Sequence, residues 1–251
     1  MKILQIKLIL SLIFLNLLPA SAFAAAGTGM AHEIANIISD STNTSKVLQL
    51  LVIITVIGIA PSILIMVTSF VRISIVFSFL RTALGLQQTP PNQVLISLAM
   101  FLTLFIMAPT IEQSYKEGIK PWVDEQMVES EAFPKIVAPF KKFMVANTRE
   151  KDLDLFVGIG KIDPKTELEN IPMHIVTPAF MISELRRGFE IGFLIFLPFL
   201  IIDILVASIL MAMGMMMMPP VMIALPFKII FFVVIDGWYL LAGSLVKSFI
   251  S

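Results

Sequence analysis

Cysteine is absent, and histidine occurs only at positions 32 and 174. The first absence excludes a disulfide framework and a thiolate metal site. The second leaves no histidine pair with metal-ligand spacing. Charge is scarce too: 14% of residues are charged, 18 basic against 18 acidic. With no basic excess to neutralise a phosphate backbone, nucleic acid is not an expected partner. The patterns HExxH, GxxxxGK(S/T) and GxSxG do not occur, so the zinc-hydrolase, phosphate-loop and serine-hydrolase classes lose their usual signatures. No catalytic residue, cofactor or metal is expected, and the chain reads as not an enzyme.

What is abundant is apolar. Hydrophobic residues make up 57% of the chain, and the mean hydropathy is +0.93, a membrane-protein composition. Residues 1–24 have the layout of a secretory signal. Lys2 and Lys7 precede an apolar run from Leu8 to Leu18, and Pro19 and Ala22-Phe23-Ala24 follow it. The alternative is a short uncleaved anchor. Residues 25–46 then form a periplasmic N-terminal segment. Four long apolar stretches follow, near 47–69, 93–111, 189–213 and 221–245, each of a length to cross a bilayer. Cleavage would leave the new N-terminus outside. Residues 47–111 become a first helical hairpin whose loop, 70–92, is cytoplasmic. Arg72 and Arg81, with no acid between 70 and 92, suit the positive-inside rule. Residues 112–188 form a small helical periplasmic insert, and 189–251 a second hairpin. The fold class expected is an all-α integral membrane protein of about four apolar, kinked helices in hairpins.

The second hairpin is the most informative part. Its two arms flank Met211-Ala212-Met213-Gly214-Met215-Met216-Met217-Met218-Pro219-Pro220, where the proline pair ends one helix and opens the next. Asp203 and Lys228 lie at equal distance from the tip, roughly 19 Å at 1.5 Å per residue. Opposite charges at one depth are costly apart and tolerable as a buried ion pair. Pro61, Pro198 and Pro226 interrupt three of the spans. They are either ordinary kinks or broken helices packed within protein. In the insert, Ile136, Val137, Phe140, Phe143 and Met144 line one helix face, and that helix either runs through Pro139 or starts there. Thr177-Pro178 has the form of a capping residue before a first-turn proline. Arg186 and Arg187 can both reach Glu190 on a helix, with Glu184 on a neighbouring face. This group reads either as a charged collar at the membrane edge or as a set of subunit contacts.

Three groups of residues carry a resemblance. Pro178 to Phe193 continues into Pro198-Phe199-Leu200-Ile201-Ile202-Asp203. Arg72-Ile73-Ser74-Ile75-Val76 stands with Leu80-Arg81, followed by Gln87-Gln88-Thr89-Pro90-Pro91-Asn92. Met213 to Pro220 forms the third group. From about residue 47 to the C-terminus the chain closely resembles the FliP family of flagellar type III export-gate subunits. The resemblance implies a core gate subunit at the flagellar basal body in the bacterial inner membrane. It implies a pentameric ring of this chain, membrane partners FliQ and FliR, passage of unfolded flagellar proteins, and no catalytic activity. A sister family in virulence-type secretion systems shares the core motifs and remains an alternative, as does an ion-coupled transporter using Asp203 and Lys228. The signal and the long insert favour the flagellar branch. Helices of such a gate can stack in a ring raised above the bilayer, so four spans is an upper count. On this reading Met215, Met216 and Met217 form a gasket. Thioether chains close on one another yet yield to a passing polypeptide, and an apolar constriction stops ions by dewetting. Without a channel, the same methionines are merely flexible filler.

Overall fold

The structure, a computed structural model, describes residues 48, 51–52, 54–55, 58–59, 62–63, 65–86, 89–163, 166–215 and 219–250. The predicted signal, and Met216 to Met218 of the tip, lie outside them. The chain divides into two units, Met1–Ile65 and Met66–Ser251. Within the first, every described position from 48 onward is helical, and Thr55 Oγ1 donates to the carbonyl of Leu51 at 2.7 Å.

The second unit holds eight α-helices among its described residues: α1 (Phe70–Ala83), α2 (Asn92–Ser114), α3 (Lys120–Val123), α4 (Glu129–Asn147), α5 (Glu150–Ile159), α6 (Met173–Ala212), α7 (Pro220–Val234) and α8 (Gly237–Ile250). A π-helical turn, Tyr115–Ile119, joins α2 to α3, and a short 3-10 turn at Leu168–Asn170 precedes α6. By length and composition, Asn92–Val123 and Met173–Ala212 can each cross a membrane. The pair α7–α8 qualifies only as a span bent by 62°. An all-helical architecture suits an apolar surrounding, because each helix satisfies its own backbone groups.

Several sequence expectations are corrected. Residues 70–83 are helix rather than loop. Their apolar residues recur along one face at Ile73, Val76, Phe77, Leu80 and Ala83, all buried, and that face needs a partner. The span expected at 189–213 begins sixteen residues earlier, at Met173, so the C-terminal end of the expected insert belongs to the long helix. Thr177-Pro178 therefore lies inside α6 rather than at a start. Proline at the sixth position disturbs only a carbonyl near the helix end. The span expected at 221–245 is broken at Ile235 and Asp236, where the chain turns left-handed. In the insert, where the sequence left open a helix through Pro139 or one starting there, α4 runs through both Pro134 and Pro139.

At 1.5 Å per residue, α6 is about 60 Å long, twice the hydrocarbon thickness. One core lies along its apolar half: Phe77 and Leu80 of α1, Ala99 of α2, Phe199 of α6, Phe232 of α7 and Leu245 of α8. A second surrounds its first turns, with Met144 of α4, Leu153 and Val157 of α5, and Val176 and Phe180 of α6. The helix α1 packs against the middle of α6 through two glycines one turn apart. A Cβ on Gly188 would lie 3.1 Å from Ile75 Cγ2, and one on Gly192 would lie 2.6 Å from Phe79 Cγ. This small-xxx-small spacing lets the two backbones approach closely. The insert is fastened in a similar way. Ser114 Oγ donates to the Ile136 carbonyl at 2.8 Å, and a Cβ on Gly118 would fall 2.8 Å from the Ile136 nitrogen.

Gly192→Val is therefore expected to push α1 off α6 and destabilise the unit by about 1–3 kcal/mol, the range for overpacking. Gly158→Ala, on an open face of α5 with nothing within 4 Å, is expected to be neutral or to stabilise by about 0.5–1 kcal/mol. Thermal unfolding midpoints of the detergent-solubilised variants check both.

Candidate functional site

The helix α6 carries three buried polar junctions, and each ties it to a different set of neighbours. The first lies in its N-terminal third. Arg72 of α1 reaches Glu184 with a fork: Nε donates to Oε2 at 3.0 Å and Nη2 donates to Oε1. The remaining nitrogen, Nη1, donates to the carbonyl and hydroxyl oxygens of Ser248 on α8, at 3.1 and 2.9 Å. The guanidinium also lies 3.6 Å from the ring centroid of Phe249. Both side chains are fully buried, at 1% and 0% exposure. A planar donor fork suits this geometry in a way that a lysine does not. Burial draws the Arg72 guanidinium down from its usual value, and the hydrogen bond and charge of Glu184 oppose that pull.

The second junction adjoins the first. Asp152 of α5 accepts from Arg149 Nε at 2.8 Å and from Arg149 Nη2 at 2.6 Å. It also accepts from Ser183 Oγ at 2.6 Å, and that same hydroxyl oxygen accepts from the Arg149 backbone N–H at 3.1 Å. Consecutive residues Ser183 and Glu184 thus serve different helices. Burial pushes the Asp152 carboxyl up, but the Ser183 hydrogen bond and the Arg149 pair outweigh it and hold it below the usual carboxylate range.

The third junction lies nineteen residues along, about 28 Å further up α6. Lys228 Nζ donates to Asp203 Oδ2 at 2.6 Å and to the Ala83 carbonyl at 3.0 Å. Ala83 is the last residue of α1, so its carbonyl lacks an intrahelical donor and lies at the negative end of the helix dipole. The ammonium is buried, and Asp203 is partly exposed. Its other oxygen, Oδ1, is buried and unbonded among the described residues.

The remaining candidates are dispersed. Arg186 Nε donates to Glu190 Oε1 at 2.7 Å on the exposed side of α6, whereas Arg187 is half-buried. Glu184 faces inward, away from this pair, so the four charges do not form one collar. Arg81 donates to Asn92 Oδ1 across the turn between α1 and α2. Arg72 is a core residue, not a solvated loop cation, because its charge is needed by Glu184. Met215 is exposed at the tip, 42%. Gly214 is left-handed at φ 73°, and the Met215 N–H donates back to the Leu210 carbonyl at 3.0 Å. These bonds close α6 with a glycine cap that turns the chain out of the helix. Ser183, Asp152, Ser248 and the Ala83 carbonyl were not singled out by the sequence. The 112-residue separation of Arg72 from Glu184 leaves no local signal for their pairing, although Gly188 and Gly192 are visible as a small-xxx-small spacing. Among the described residues no three metal-ligating side chains gather.

Arg72→Met or Glu184→Gln alone strands a buried charge and is expected to cost about 3–5 kcal/mol, while Arg72→Met combined with Glu184→Met costs less than the sum of the singles. Denaturation of the solubilised chain measures this; strict additivity would contradict a direct pair. Asp152 makes a prediction in pH. Its folded pKa is depressed, so its stabilisation is complete above the ordinary value of about 3.9 and fades as pH falls through the lower folded value. Asp152→Asn should flatten that acid-side loss between pH 5 and pH 2 in thermal scans.

The chain was compared with known proteins. The model of the FliP family matches residues 53–245. A protein named flagellar biosynthetic protein FliP from Caulobacter vibrioides is 54% identical over 242 residues, which cover 96% of this chain and 89% of that one. A protein of the same name from Bacillus subtilis is 54% identical over 220 residues, 87% of this chain and 100% of its own length. One from Rhizobium meliloti is 49% identical over 239 residues, 94% of this chain and 98% of that one.

Proposed function

The chain belongs to the FliP family, and on that premise we propose that it is a core subunit of the flagellar type III protein export gate. The observation that carries this reading is identity near one half to flagellar FliP proteins across nearly the whole chain. The structure supports a membrane-embedded role through its long apolar helices and the many large apolar side chains exposed on α2, α6, α7 and α8. The finer reading has four parts. The chain assembles with itself in a pentameric ring and with FliQ and FliR. The ring surrounds the path of unfolded flagellar proteins. The chain resides in the bacterial inner membrane after loss of residues 1–24. It works as a conduit rather than as an enzyme.

Within that ring, Met215, Met216 and Met217 form the seal. Support comes from the placement of Met215 beyond the glycine cap of α6 and before the proline that opens α7, exposed rather than in either core. Its thioether has several rotatable bonds and no strong hydrogen-bonding group. Rigid ion-paired helices below and soft side chains at the turn suit a gate that must hold its frame while its aperture yields. Asp203 and Lys228, 25 residues apart and joined across α6 and α7, hold the arms of that hairpin together.

Deleting the gene is expected to abolish motility and flagellar protein export, with restoration by the unsubstituted chain. Replacing Met215, Met216 and Met217 together by Ala should raise ion conductance of membranes holding the complex several-fold while co-purification of subunits stays unchanged. Tight membranes after the triple substitution would return the methionines to the role of turn filler.

A further inference from the structure

A groove of about 470 Å³ runs along α6 beside the bend between α7 and α8. Ile191, Leu194 and Pro198 of α6, Phe231 of α7, and Leu240 and Ser244 of α8 are among its walls. Its side chains are apolar apart from the hydroxyls of Ser244 and Ser248. Arg187 stands at one end. It precedes Ile191 by four residues and Leu194 by seven, so it lies on their face of the helix. Ser248 fixes the level, because it shares the Arg72 guanidinium with Glu184, three residues before Arg187. Arg187 is half-buried, and among the described residues it has neither a hydrogen bond nor an ion pair. The nearby acids are taken: Glu184 by Arg72, Glu190 by Arg186 and Asp152 by Arg149. Ser244 is exposed, and its hydroxyl has no hydrogen bond among the described residues.

A guanidinium partly removed from water and left without an anion is costly, and its planar fork suits a phosphate. The depth suits one too. From Ile191 to Leu210, α6 runs through twenty residues with Asp203 as the one charge. At 1.5 Å per residue that stretch is about 30 Å long, the thickness of the hydrocarbon. Arg187 lies about 6 Å before it, at the level of lipid headgroups. The groove is too small to take in a helix. Over the roughly 12 Å from Ile191 to Phe199, a helix about 10 Å across needs on the order of 900 Å³. An acyl chain is far thinner. We propose that this groove binds one anionic phospholipid, with its phosphate on Arg187 and Ser244 and an acyl chain laid toward Pro198 and Phe231. The inference rests on the membrane-embedded reading and not on the ring or its partners.

The test uses the full chain, co-expressed with FliQ and FliR and purified from membranes in mild detergent. Native mass counts the phosphatidylglycerol or phosphatidylcholine bound per copy. At least a five-fold preference for phosphatidylglycerol is expected. Arg187→Gln, which strands no partner, should reduce that binding at least five-fold without lowering the unfolding midpoint in lipid-free detergent. Ser244→Trp keeps the charge but fills the groove, and should reduce it likewise. Lys247→Gln removes an exposed charge outside the groove and should leave it unchanged. An equal loss in Lys247→Gln, or inorganic phosphate that displaces the lipid as well as phosphatidylglycerol does, overturns the proposal. So does a photoreactive group at position 194 that captures only FliQ, FliR or a second copy, since protein would then fill the groove. A membrane-bound chain without the lipid preference overturns this inference alone. A chain that does not fractionate with membranes overturns the membrane-embedded reading as well.

Discussion

The buried fork between Arg72 and Glu184 constrains the rest of the second unit. Neither charge can be left alone at zero exposure, so α1 and α6 have to meet in one register. That register sets Gly188 against Ile75 and Gly192 against Phe79, where only glycine lets the helices approach. The third guanidinium nitrogen needs acceptors, and Ser248 supplies two of them from the C-terminal turns of α8. One side chain thus orients three helices far apart in the chain. Direction matters here more than net energy, because an apolar set of the same volume could be as stable without specifying a register.

The other two junctions extend this logic along α6. Ser183 and Asp152 bind the insert to its first half, whereas Asp203 and Lys228 bind α7 to its second half and reach the end of α1. Between these polar points the contacts are aromatic and aliphatic. They include the edge-on ring pairs of Phe199 with Phe231 and of Phe232 with Trp238. Non-directional packing fills the space, and the ion pairs decide which packing is used. The prolines fit the same division. Pro198 lies within α6 and Pro226 within α7, flanking the Asp203–Lys228 junction. A backbone weakened at both places is held by the charge pair between them.

A gate subunit has to combine a fixed frame with an aperture that gives way. On the reading proposed above, the frame is the part rich in buried charge and close glycine contacts. The tip beyond Gly214 has the opposite chemistry, with flexible thioethers and no charged group between Asp203 and Lys228. The large apolar surface left exposed by one copy is consistent with a protein whose neighbours, whether lipid or protein, complete its burial.

Much of this was legible from composition and periodicity. Long apolar runs dictate helices where backbone groups must be satisfied locally, and the absence of cysteine and of catalytic patterns narrows the function classes. Residue counting from the proline-broken tip sets Asp203 and Lys228 at one depth. The motifs around 178–203 and 213–220 carry the family, and the matches along residues 53–245 agree with them. Helix limits were less legible. Hydropathy follows polarity, so it ended the long span at the charges near 184–190, although those residues are helical and one of them is in the core. It also joined α7 to α8, because a left-handed aspartate leaves the average hydropathy almost unchanged. Glu184 as the partner of Arg72, Ser183 as a partner of Asp152, and the second acceptor of Lys228 were beyond the sequence's reach. They lie 112, 31 and 145 positions away, and no local period links residues that meet only after the chain has folded. Polarity and spacing along one chain determine which segments are helices and which charges must be satisfied; only tertiary packing decides which helix satisfies them, because a hydrogen bond depends on distance in space and not on separation in sequence.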